Sequence, residues 1–95
     1  MIFDITRTLR TPHSERFLLS DEGTDFAALD IHFLVDGRVN ATLTLFENAK
    51  VSEQDLPSLL SEIDDRLLPD VSVSDSNLIF TVVRGTVIGA FTAGA

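Results

Sequence analysis

The sequence predicts an α+β fold: a mostly antiparallel, curved sheet of about five strands, with one amphipathic helix packed on one face, in the order β-β-β-β-α-β. Three stretches carry that expectation. Residues 27–46 alternate apolar and polar around Asp36-Gly37. A period of two marks half-buried strands, and Asp-Gly is a strong hairpin signal. Leu56, Leu59, Leu60, Ile63 and Leu67 fall at i, i+3, i+4, i+7 and i+11, a single helical stripe. Leu78-Ile79-Phe80-Thr81-Val82-Val83 is a β-branched, apolar run of strand length. A chain of 95 residues suits one domain spanning 1–95.

The first strand is expected over Ile2–Leu9, with Phe3, Ile5 and Leu9 on one side and Asp4, Thr6 and Thr8 on the other. Arg7 interrupts the apolar side. Thr11-Pro12-His13-Ser14 is turn chemistry, because proline fixes φ and removes a donor. Arg16-Phe17-Leu18-Leu19 reads as a short second strand, apolar on both faces. Asp21-Glu22-Gly23-Thr24-Asp25 reads as a polar loop.

The hairpin that follows has a register that can be worked out in advance. A two-residue Asp36-Gly37 turn pairs Phe33 with Asn40 and Ile31 with Thr42, which sets apolar against polar on each face. A three-residue loop, Val35-Asp36-Gly37 with Gly37 left-handed, pairs Phe33 with Val39, Ile31 with Ala41 and Leu29 with Leu43. One face is then wholly apolar. A one-residue slip exchanges the faces of a strand, so the longer loop is expected. Phe26, Leu34 and Phe46 fall on the other side of this hairpin.

Ser52-Glu53-Gln54-Asp55 has the form of a capping box. Pro57 forbids one continuous helix from Ser52, since its missing N–H belongs in the ladder. With Asp55 as the cap, Pro57 falls at N2 and no bond is lost. The helix is therefore expected at Leu56–Leu68, with a single turn from Ser52 before it, and Pro69 stops it. Val71-Ser72-Val73 reads as a brief extended piece and Asp75-Ser76-Asn77 as a turn. The last strand begins at Leu78. Gly85 marks a bulge or bend, Thr86–Phe91 continues as strand, and the chain frays from Thr92.

Such a helix is ~20 Å long and ~10 Å wide, which roofs roughly two to four strands on one face only. The sequence holds more apolar strand surface than that. Either the sheet curls on itself into a half-barrel, or the bare face meets a second copy. A twofold dimer is the expectation preferred here, with Leu34, Phe46, Phe80 and Val82 as interface candidates.

The net charge is −8, and residues 21–75 concentrate it, with thirteen acids against Arg38, Lys50 and Arg66. Such a surface repels nucleic acid and anionic membranes. There is no cysteine, which removes thiolate chemistry and disulfides and fits a cytoplasmic, reducing setting. Met1–Asp4 offers no basic segment ahead of an apolar core, so no signal peptide is expected. The longest apolar run, Leu78–Ala93, contains Arg84 and falls short of a membrane span.

Few residues suggest chemistry. Arg7, Arg10, His13 and Arg16 converge if the first two strands form a hairpin, and arginine forks suit phosphate or carboxylate. His32, near Asp30 and opposite Asn40, reads as a sheet-surface histidine with no nucleophile beside it. Glu62, Asp64 and Asp65 diverge around a helix and read as a solvated face, so no metal is expected. Asp70–Asp75 lacks the glycine and distal glutamate of a calcium loop. Asn40-Ala41-Thr42 is a glycosylation triplet by chance alone, and Gly85 and Gly89 have the spacing of a membrane dimer motif in a β-branched context. No cofactor is expected. The functional expectation is a non-enzymatic, acidic interaction or regulatory module that self-associates through an apolar sheet face. The alternative is a small-molecule or anion-binding protein, an enzyme included, built on the Arg/His cluster.

Overall fold

Antiparallel pairing carries the chain through its first four strands. The computed structural model describes residues 2–68 and 77–91. They form β1 (Asp4–Arg10), β2 (Ser14–Asp21), β3 (Thr24–Phe33), β4 (Val39–Leu45), a 3-10 turn (Glu53–Asp55), α1 (Leu56–Leu67) and β5 (Leu78–Arg84). The sheet order is β1-β2-β3-β4-β5, and β5 runs parallel to β4. This is the expected α+β order. The pieces anticipated at 71–73 and 75–76, and the fraying end from Thr92, lie outside the described residues.

The β3–β4 hairpin adopts the register derived from its hydrophobic pattern. Phe33 pairs with Val39, Ile31 with Ala41 and Leu29 with Leu43. The Leu34 N–H donates to the Arg38 carbonyl at 2.9 Å, closing the three-residue loop, and Gly37 has φ +90°. Asp36 accepts from the Arg38 backbone N–H and Nε at 3.1 and 2.7 Å. Those donors, the backbone N–H first, hold the Asp36 carboxyl below its ordinary pKa. The polar loop at 21–25 is tighter than its composition suggests. Asp21 pairs with Thr24, leaving Glu22 and Gly23 as a two-residue turn with φ of +49° and +81°, the pair of positive values a type I′ hairpin turn requires.

Two bulges reassign side chains. In β1 the register passes from Arg7–Phe17 to Leu9–Arg16, so Thr8 is an extra residue. Leu9, expected beside Ile5, therefore turns to the opposite face and is 47% exposed. In β3 the register passes from Leu19–Ala27 to Ser20–Asp25, which makes Phe26 the extra residue. Phe26, expected on the far side of the hairpin, is instead buried against Phe3, the rings edge-to-face with centroids 6.0 Å apart.

The helix starts where proline permits. Asp55 is its N-cap and Pro57 stands in its first two positions. The Asp55 carboxylate reaches back to accept from the Ser52 N–H and Oγ, both at 3.0 Å. These two donors hold the Asp55 carboxyl below its usual range. Leu59 and Ile63 are fully buried against Leu19, Leu29, Ile31 and Leu43. Arg66 donates from Nη1 to the Phe3 carbonyl at 2.9 Å and stacks 5.0 Å over the Phe3 ring. Asp64, expected on the solvated face, is half-buried, and its Oδ1 is buried with no hydrogen-bond partner among the described residues.

The core thus lies in a single layer between α1 and one sheet face, and the molecule measures 39 × 38 × 19 Å. A thickness of 19 Å fits one sheet and one helix layer. Residues 85–91 form no strand, which corrects the expected continuation through Phe91. The reason is a shortage of partners. The Gly85 N–H takes the Leu45 carbonyl at 2.8 Å, where β4 ends, and the Phe46 N–H is already committed to the Phe26 carbonyl. No helix among the described residues is long and apolar enough to cross a membrane.

Candidate functional site

The residues suspected of binding an anion are divided between the two sheet faces. Arg7 pairs with core-facing Phe17, and Arg10 with Glu15, so both lie on the helix side. They share Glu15, each nitrogen 3.6 Å from its Oε1. Arg16 pairs with Asp30 and lies on the opposite face, its Nε 2.6 Å from Asp30 Oδ1. His13 is exposed in the β1–β2 turn. The structure therefore brings Arg7 and Arg10 together around one carboxylate, and it neutralises Arg16 elsewhere. His32 is exposed on the open face between Ser14 and Asn40.

The interface candidates are divided as well. Leu34 sits in the turn that closes the β3–β4 hairpin. Phe46 lies beyond the end of β4 and lines a hollow of about 890 Å³ on the open face, with Leu18, Ala28 and Thr44 from the sheet and Thr86 and Val87 from the C-terminal segment. Arg16, Asp25, Asp30 and Glu47 stand around the same hollow. Phe80 and Val82 face the helix side, half-buried against the core.

The margin around β5 leaves apolar side chains uncovered on both sides of the sheet. Its pairing with β4 runs Val39–Leu78, Ala41–Phe80 and Leu43–Val82. That places Leu78, Phe80 and Val82 beneath α1, and Ile79, Thr81 and Val83 on the open face. On the helix side α1 does not close down on β5. A cleft of about 270 Å³ is lined by Leu60, Asp64, Leu78 and Phe80, and one of about 180 Å³ by Leu56, Val82 and Arg84. On the open face Ile79 is 49% exposed and Val83 45%. Just beyond the strand, Val87, Ile88 and Phe91 are exposed as well.

The two sheet edges differ in kind. β1 carries Asp4, Arg7 and Arg10 and a bulge at Thr8, the features by which natural edge strands discourage further pairing. β5 pairs with β4 over seven consecutive residues without a register shift, contains no proline, and holds one charge, Arg84, at its very end. The Arg84 Nη2 donates to the Val51 carbonyl at 2.7 Å, which draws that charge toward the helix side. The sequence pointed to Phe80 and Val82 through the apolar character of their run. It did not single out Ile79 and Val83, whose place on the open face follows from the pairing with β4.

Protein-family models, curated proteins and solved structures yield no match to this chain.

Proposed function

We propose that the chain is a non-enzymatic interaction module that works as a homodimer, associated through the apolar margin of its sheet. One observation carries the reading: β5 is apolar on both faces and fully covered on neither. Surface of that kind is removed from water with gain wherever a complementary surface is offered, at about 25 cal/mol per Å² of apolar area. A second copy carries the same uncovered margin, and twofold pairing is the commonest assembly.

The charged groups support the same reading. Those that converge are paired with one another on exposed surface: Arg7 and Arg10 with Glu15, Arg16 with Asp30, Arg38 with Asp36. Such pairs contribute little to stability and keep the rest of the surface wet. The acidic excess of the middle of the chain opposes nucleic acid as a partner. A cysteine-free chain suits the reducing cytoplasm. Light scattering coupled to size exclusion tests the proposal. The expected result is twice the monomer mass at micromolar concentration, and a monomer persisting at hundreds of micromolar overturns it.

A further inference from the structure

We infer that two copies join by antiparallel pairing of β5 with its twofold mate, centred on Thr81, so that the two sheets fuse into one of ten strands. The inference rests on the dimer reading above and names the surface and register of that dimer. Three observations on β5 converge on it. The strand is the last in the sheet order, so its outer row of backbone N–H and C=O groups faces no strand among the described residues. The opposite edge, β1, is blunted by charge and by its bulge, whereas β5 pairs without a bulge and is uncharged from Leu78 to Val83. The segment is also self-complementary.

Self-complementarity follows from writing the strand against itself in reverse. About Thr81, Ile79 meets Val83 of the other copy, Phe80 meets Val82, Thr81 meets Thr81, and Leu78 meets Arg84. A twofold axis perpendicular to the sheet keeps each face with its like, so Ile79 and Val83 meet on the open side and Phe80 and Val82 on the helix side. The side chains that are half-exposed in one copy thereby cover each other in two. Cross-strand pairs of β-branched and aromatic residues, and of threonine with threonine, are the favourable kinds. Slipping the register by two residues sets Ile79 against Thr81 and shortens the overlap. Like charges stay apart, because the strand's only charge lies at its end and opposes Leu78.

The absence of native cysteine makes the register directly testable. In an antiparallel pair, residues that face each other have Cα atoms about 4.5 or 5.5 Å apart, within disulfide reach. In this register the two copies of residue 79 are about 14 Å apart, out of reach. Thr81→Cys is therefore expected to form a disulfide-linked dimer in near-complete yield on mild oxidation, and Ile79→Cys to form little. Val83→Lys, at a position exposed in the single copy, is expected to give a monomer with an unchanged circular dichroism spectrum. A wild-type dimer that Thr81→Cys does not crosslink, or that Val83→Lys leaves intact, overturns the β5 register while leaving self-association standing. A wild-type monomer at every concentration overturns both.

Discussion

Asp55 and Gly37 show how much local structure rests on single side chains. The Asp55 carboxylate is stabilised in its charged form by two donors from Ser52 that exist only in the folded chain. Its folded pKa lies below the unfolded one, so its contribution is present above about pH 4 and is lost as pH falls through the depressed value. Asp55→Asn is expected to lower the melting temperature at pH 7 and to differ less from the parent as the pH approaches 3, which thermal unfolding across pH will show. Gly37 has φ +90° with open space where a Cβ would stand. Gly37→Ala therefore meets backbone strain and no clash, and is expected to destabilise by about 1 kcal/mol in urea unfolding. Both features were legible in the sequence, because a cap and a left-handed turn each demand a particular residue type. The bulges at Thr8 and Phe26 were not. An extra residue in a ladder is set by what the neighbouring strand requires, and neither threonine nor phenylalanine announces it. That is why Leu9 and Phe26 change faces relative to their simple alternation.

The helix and β5 illustrate the two fates of an element-level pattern. The stripe of α1 was legible because helical spacing needs no partner to be recognised. Its inner positions are also the most deeply buried, with Ile63 at 0% exposure. Ile63→Ala is expected to cost about 2–5 kcal/mol in chemical denaturation, since it removes packed methylenes and leaves a cavity. At Leu60, which is half-buried beside the cleft under α1, the same truncation is expected to cost less. The apolar run of β5 was recognised as a strand, but its parallel partnership was not, because direction depends on the path taken by the intervening helix. The stretch Thr86–Phe91 misled for a related reason. β-propensity describes how well a residue fits a sheet surface, and beyond Leu45 no strand among the described residues remains for it to join. The candidate site suffered most from this dependence on pairing. Three arginines that are close in sequence end on two faces and His13 in the turn between strands, and the exposed Ile79 and Val83 were not among the residues named.

At the scale of the whole molecule, a 19 Å thickness with one helix layer leaves one sheet face open, and the proposed dimer has a consequence for how the protein melts. A dimer unfolds more readily when dilute, by mass action. The melting temperature of the wild type is therefore expected to rise by roughly 3–5 °C for each tenfold increase in concentration, given the usual entropy of unfolding for a domain of this size. Val83→Lys is expected to melt at a temperature independent of concentration. Differential scanning calorimetry on both, over two decades of concentration, checks the pair of outcomes. The layer count itself was foreseeable, because one amphipathic stripe cannot roof two faces. Which margin stays bare was not, since that follows from where α1 lands across the strands.

The parallel seating of β5 against β4 has a further consequence in time. The first four strands are neighbours along the chain as well as in space, so they can zip together while later residues are still leaving the ribosome. The fifth has to wait for the helix to emerge and lie down. Its amides should thus be the last of the sheet to gain protection from deuterium exchange during refolding, and until they do a nascent chain displays β4 as a raw border to every other chain nearby.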